Sequence, residues 1–130
     1  MSNRLLLVTS LGGVMSLQGC IFCRIVNREI PASVVYEDDH ILAFKDANPV
    51  APVHILFIPK KHIATLFELQ EGDEQILGRL QKAAVQVARD LGLEGRGFRL
   101  VANCQEGGGQ VVFHVHYHLL AGRKLNWPPG

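Results

Sequence analysis

Three of the six histidines in this 130-residue chain stand at alternate positions in His114-Val115-His116-Tyr117-His118-Leu119-Leu120. A period of two is the period of a β-strand, in which alternate side chains share a face. A strand over residues 111–120 sets successive imidazoles roughly 6.6–7 Å apart on one surface. Val115, Tyr117 and Leu119 then point the other way, into a core. Histidine is not a favoured strand residue, so an exposed polar face is a weak reason to stack three of them. Imidazole changes protonation near neutral pH, and three on one surface can divide the work of nucleophile, acid and orienting group.

The rest of the chain supplies partners for such a strand. Val34-Val35-Tyr36-Glu37 predicts a first strand, and Asp38-Asp39 a tight turn into a second over residues 40–46. The prolines of Asn48-Pro49-Val50-Ala51-Pro52 make that stretch a loop. Val53 to Ile58 forms a third strand, closed by Pro59. Asp73 is placed to cap a helix over about 74–91, with Ile76, Leu77, Leu80, Ala84, Val87 and Leu91 as its apolar stripe and Gly92 as its stop. Phe98 to Asn103 forms a fourth strand, Gly107-Gly108-Gly109 a loop, and residues 20–27 a short helix or turn. Strands in mostly antiparallel order with one long helix give the α+β class.

A chain of 130 residues makes one domain with a core of its own. A formal charge of +1 offers no basic field for nucleic acid, and Lys60-Lys61 and Arg123-Lys124 read as solvated loop charges. No apolar run reaches the length that spans a bilayer, so neither nucleic acid nor membrane is expected as a partner. Residues 1–14 read as a disordered extension or an over-long start, with Met15 as an internal start and residues 15–130 as the domain. Leu5-Leu6-Leu7-Val8 and Leu17-Gln18-Gly19-Cys20 also have the weak outline of a lipoprotein signal. Thr9, Ser10, Gly12 and Gly13 dilute it, so the cytoplasm is the expected location.

The alternating histidines, followed by two apolar residues, resemble the signature of the histidine triad (HIT) superfamily of nucleotide hydrolases and transferases. Ile21-Phe22, Glu29-Ile30-Pro31-Ala32, Tyr36-Glu37-Asp38-Asp39, Leu42-Ala43-Phe44, Ile58-Pro59-Lys60-Lys61-His62 and Gly108-Gly109-Gln110 fall in that family's order. With Trp127-Pro128-Pro129-Gly130 they resemble its Hint branch, the histidine triad nucleotide-binding proteins, from about residue 20 to the end. The resemblance implies the HIT fold: a five-stranded antiparallel sheet with one long and one short helix, joined across a homodimer into ten strands. It also implies cleavage of the P–N bond of purine nucleoside 5′-phosphoramidates, releasing the nucleoside monophosphate. A nucleotide-binding interaction protein with incidental hydrolysis, and a diadenosine polyphosphate hydrolase, are the alternatives.

By the same resemblance His116 is the nucleophile that carries the nucleotidyl group, and its other nitrogen should donate to a backbone carbonyl. His118 orients phosphate contacts, His114 completes the triad, and His54 is the acid in metal-free relatives. Ile21, Phe22, Phe44, Asp46 and Ala47 match the nucleoside pocket, with Asp46 accepting from the ribose hydroxyls. Asn103, Gly109 and Gln110 match the phosphate pocket, where glycine admits backbone N–H groups and the amides donate to the oxyanion. Val111 stands where the family usually has serine or another polar residue. Trp127 belongs to a tail that in this branch reaches the partner subunit's site.

Cys20-Ile21-Phe22-Cys23 sets two thiols at a spacing that can bite one zinc ion, although a full site needs two more ligands. The resemblance supplies His54 and His114 as those ligands, in a structural zinc site that the chemistry does not require. That assignment carries a conflict: an imidazole held by zinc cannot also be the acid. Plain thiols or a redox pair are the other uses of Cys20 and Cys23, and Cys104 reads as core.

Overall fold

The computed structural model describes residues 19–130; the expectations for residues 1–14 and for a start at Met15 lie outside them. The elements in order are α1 (Ile21–Val26), β1 (Val34–Glu37), β2 (Ile41–Lys45), β3 (Val53–Pro59), a 3-10 turn (Leu66–Glu68), α2 (Asp73–Asp90), β4 (Arg99–Ala102), a second 3-10 turn (Glu106–Gly108) and β5 (Tyr117–Ala121). The strands form one five-stranded antiparallel sheet in the order β1-β2-β3-β5-β4. This is the expected α+β architecture with one long and one short helix. Among the described residues no helix is long and apolar enough to cross a membrane.

Strands β2 and β3 are buried on both faces, and their alternation sorts two cores. Ile41 and Ala43 of β2 and Ile55 and Phe57 of β3 pack with Leu80, Ala83, Ala84, Val87 and Ala88 of α2. Leu42 and Phe44, with Leu56 and Ile58, face the other way and pack with Cys20, Phe22 and Cys23 at α1. His54 shares the parity of Leu56 and Ile58 and so lies on the α1 face, away from α2. The sheet thus has one face packed on α2 and a second face packed on α1, on which His54 lies.

Three boundaries differ from the sequence expectation. Asp73 is the first residue of α2 and not its cap; that place falls to Gly72 at φ 94°. The Asp73 carboxylate instead accepts from the Gln70 N–H at 2.8 Å and the Lys61 ammonium at 2.7 Å. The buried stripe of α2 runs through Ala83 and Ala88, whereas Leu91, beyond the helix end, is exposed. Strand β5 begins only at Tyr117. Residues 114–116 lie outside the ladder, where Val115 donates to the Ile63 carbonyl at 2.7 Å instead of to a sheet neighbour. Of the three histidines only His118 is on the strand. The expected alternation survives, since Val115 and Leu119 are buried and Tyr117 packs against the α2 core.

Candidate active site

Four of the six histidines fall into two clusters, His116 stands between them, and His40 is an exposed outlier. The antiparallel register decides the division. Leu56 is opposite His118 and His54 is opposite Leu120. Directly opposed positions share a face, so His118 and His54 are diagonal neighbours on it. Moving back from His118 toward His114 on one strand means moving on from Leu56 toward Pro59 and beyond on the other. His114 therefore ends beside Pro59, where its Nε2–H donates to the Pro59 carbonyl at 2.8 Å. His62, three residues after Pro59, lies at the same end, and His54 at the opposite end of β3.

The first cluster joins Cys20, Cys23, His62 and His114, with all four ligand atoms within 4.8 Å of one another. His54 is not part of it, which corrects the expected ligand set: His62 takes that position. Cys20 Sγ is 3.4 Å and Cys23 Sγ 3.6 Å from His114 Nδ1. His62 Nδ1 is 3.2 Å from both Cys23 Sγ and His114 Nδ1. A tetrahedral ion about 2.0–2.1 Å from nitrogen and 2.3 Å from sulfur spaces its ligands by roughly 3.3–3.8 Å, so the donor set fits. The Pro59 contact commits the His114 proton to Nε2 and turns the Nδ1 lone pair inward. The Cys20 thiol is drawn far below its ordinary value by hydrogen bonding with Cys23, against the opposing effect of burial, with His114 and His62 adding to it.

His62 is delivered by ion pairs. Lys60 donates to Glu37 at 2.7 Å and Lys61 to Asp73 at 2.7 Å, fastening the turn that precedes it to β1 and α2. Both lysines stay in contact with solvent, as expected, and are ion-paired as well. Cys104 is half-buried at the exit of β4 rather than part of the core.

The second cluster is Asp46, His54 and His118, and its hydrogen bonds fix its protons. The Val50 N–H donates to His54 Nδ1 at 3.1 Å, so that nitrogen carries only a lone pair. The His54 proton is on Nε2, 2.9 Å from His118 Nδ1 and 3.4 Å from Asp46 Oδ2. His118 Nδ1 accepts, and its own proton is on Nε2. A metal ion would need the His54 Nε2 lone pair that this arrangement removes, so the cluster is a hydrogen-bond chain. It also withholds the acid role expected of His54: neither ring has an open nitrogen on which to take a second proton.

His116 Nδ1 donates to the His114 carbonyl at 2.7 Å, as expected, leaving the lone pair on Nε2. Its ring is 5.0 Å from that of His118 and meets the edge of Phe22 at 5.1 Å. Burial first, and then the neighbouring His114 ring, lower its affinity for a proton, against the opposing pull of the His114 carbonyl, Asp46 and Cys20. A buried neutral imidazole with its tautomer fixed is a nucleophile ready to react.

The remaining expected site residues fall on two sides. Phe22 and Phe44 are buried and meet edge to face at 5.5 Å; they back the histidines more than they line an opening. Ile21, Ala47, Val111 and Trp127 are exposed, and Asp46 is half-buried with one oxygen accepting from the Asn48 N–H at 2.7 Å. Gly109, at φ 91°, lies beside the Asn103 amide. The N–H groups of Gly109 and Gln110 are spent inside their own turn, on the Glu106 and Gln105 carbonyls. The Gln110 amide donates to the Ala64 and Val112 carbonyls and accepts from the Gln105 N–H. Gln110 therefore holds the loop and does not donate to a phosphate, a correction to its expected role.

The neutral His118 makes a pH prediction. Burial first, and then the neighbouring rings of His116 and His54, lower its pKa from 6.5 to about 4. The unfolded chain then takes up the proton first as pH falls, so stability is lost between pH 6.5 and about 4. Melting temperatures of the metal-free protein across that window should fall more steeply for wild type than for His118→Asn. Equal slopes would mean that the ring is not held neutral.

Comparison with known proteins agrees with this architecture. The HIT domain family model matches residues 27–125. An uncharacterized HIT-like protein of Synechocystis is 54% identical over 110 residues, 85% of this chain and 96% of that one. The 14 kDa zinc-binding protein of Brassica juncea is 51% identical over 112 residues, 85% of this chain and 98% of that one. A HIT family hydrolase from Legionella pneumophila superposes with a TM-score of 0.84 at 51% identity, over 86% of this chain and all (100%) of that one. A histidine triad nucleotide-binding protein from Candida albicans gives 0.74 at 30% identity, over 85% and 83%.

Proposed function

Since the chain belongs to the HIT domain family, whose model spans residues 27–125, we propose that it is a nucleotide hydrolase that cleaves the P–N bond of purine nucleoside 5′-phosphoramidates through a nucleotidyl group on His116. The observation that carries this reading is the His116 tautomer, with Nδ1–H on the His114 carbonyl at 2.7 Å and the Nε2 lone pair left for phosphorus. Attack by Nε2 forms an N–P bond as the bond to the amine breaks. The Nδ1 atoms of His54 and His118 are both engaged as acceptors, so the departing nitrogen takes its proton from water. The hydroxide left behind attacks the nucleotidyl-histidine, breaks its N–P bond and returns the lone pair to Nε2. The positive charge on the nucleotidylated ring is offset by the His114 carbonyl, and His118 Nε2–H donates to a phosphate oxygen as charge builds there. Asp46 accepts from the ribose, with Ile21, Ala47 and the Asn103-Gly109 corner bounding the nucleotide.

We assign zinc to Cys20, Cys23, His62 and His114, on the fit of the donors and the name of the Brassica relative. Zinc bound there supplies folding energy and fixes His114; no bond changes at phosphorus run through it. Thiolate ligands suit a reducing cytoplasm. Among the described residues the sheet ends in β4, and that edge and the Arg99 bond to the Asn126 carbonyl at 2.8 Å support a homodimer that brings Trp127 to the partner's site. Hydrolysis of adenosine 5′-phosphoramidate should exceed that of diadenosine polyphosphate. The reverse order would assign the chain to the other hydrolase reading. AMP binding without turnover of either would assign it to the interaction reading, with exposed Val111 in place of a hydroxyl as the cause.

A further inference from the structure

The bond from the Val50 N–H to His54 Nδ1 sets every proton in the second cluster, yet Val50 lies in a proline-rich loop outside the sheet. Two contacts from the exit of β5 hold the far side of that loop. Arg123 spans the gap with its guanidinium fork, donating from Nη2 to the Val50 carbonyl at 3.1 Å and from Nη1 to the Lys124 carbonyl at 3.3 Å. Gly122, at φ 96°, packs so closely that a Cβ there would lie 2.7 Å from the Pro52 Cβ. Val50 is thereby fastened on both sides of its α-carbon: its N–H to His54 and its C=O to Arg123. Pro49 has no N–H with which to take Val50's place.

We propose that Gly122-Arg123 is a positioning element for the active site: it holds the Val50 peptide so that His54, and through it His118, keeps its single proton on Nε2. The catalytic consequence rests on the His116 phosphoramidase reading, in which His118 Nε2–H donates to the phosphate. The tautomer claim stands apart from it. When the loop is released, the His54 ring is free to exchange its proton between nitrogens. His118 then loses the donor that kept its Nδ1 unprotonated, and the N–H aimed at the phosphate is no longer assured. Arg123 touches no reacting atom; it acts through Val50.

The test uses the full chain labelled with 15N-histidine. Long-range 1H–15N correlation of the imidazoles should show His54 and His118 as Nε2–H tautomers in the wild type. In Arg123→Ala, and in Gly122→Ala, which pushes the same loop from the other side, both rings should lose the single tautomer. Arg123→Lys, which can still donate to the Val50 carbonyl, should keep it. The kcat for adenosine 5′-phosphoramidate should fall about five- to tenfold in Arg123→Ala with KM nearly unchanged, the size of one hydrogen bond, and recover in Arg123→Lys. A mere loss of stability would leave the tautomers alone in spectra recorded below the melting transition. Unchanged tautomers in Arg123→Ala would overturn the proposal whatever the rate. Changed tautomers in a protein whose wild type cleaves no phosphoramidate would uphold the positioning role and refute the functional reading instead.

Discussion

His116→Ala is expected to lower turnover of adenosine 5′-phosphoramidate by about 10⁴-fold or more, the scale set by removing a nucleophile that works as a unit with its neighbours. No other histidine is placed to substitute. His114 has its Nε2 proton on Pro59 and its Nδ1 among the cysteines, and His118 presents a proton where a nucleophile needs a lone pair. The fold should survive, because the ring packs at one edge of Phe22 and the α2 core lies on the opposite face. Circular dichroism and zinc content at wild-type levels, beside lost turnover, would place the effect in the chemistry. Retained turnover would remove His116 from the role.

The second large effect separates the two histidines that flank β3. His62→Ala should lose bound zinc and His54→Ala should keep it, measured as metal per chain in purified protein. Loss of one ligand from a closed four-coordinate site is expected to cost about 3–5 kcal/mol, which lowers the melting temperature by roughly 10–20 °C in a domain of this size. Cys20→Ser and Cys23→Ser should behave like His62→Ala. The opposite assignment, zinc lost in His54→Ala and retained in His62→Ala, would mean that the register argument fails.

That register argument also marks where the sequence stops being legible. Strands over Val34–Glu37, 41–45 and Val53–Pro59 follow from apolar runs between turn residues, and α2 from its apolar stripe. The alternation of histidines carried the placement of the triad on one surface, although the ladder closes only from Tyr117. What a linear pattern does not carry is which end of one strand meets which end of another. His54 and His62 both flank β3, and only the pairing of Leu56 with His118 puts His62 beside His114. His62 stood in view in Lys60-Lys61-His62, and an antiparallel pairing of that strand with the triad segment would have selected it. Gln110 failed for a different reason. Its type suits a phosphate donor, but its amide is taken up by the Ala64 carbonyl, far away in sequence, and by the Gln105 N–H across a turn. The Val50–His54 bond is a backbone contact and has no sequence signature at all.

Moving the fourth ligand from His54 to His62 removes the conflict between metal and active site: His114 alone bridges them, through its ring on one side and its carbonyl on the other. The nucleotidyl-histidine is the central claim, and mass spectrometry after rapid acid-free quenching of wild type with adenosine 5′-phosphoramidate tests it most directly. The account predicts a chain heavier by one adenylyl group, mapped to the peptide bearing His116 and missing in His116→Ala. Product formed with no modified chain at any quench time, or the group found on His118 or His54, would contradict it.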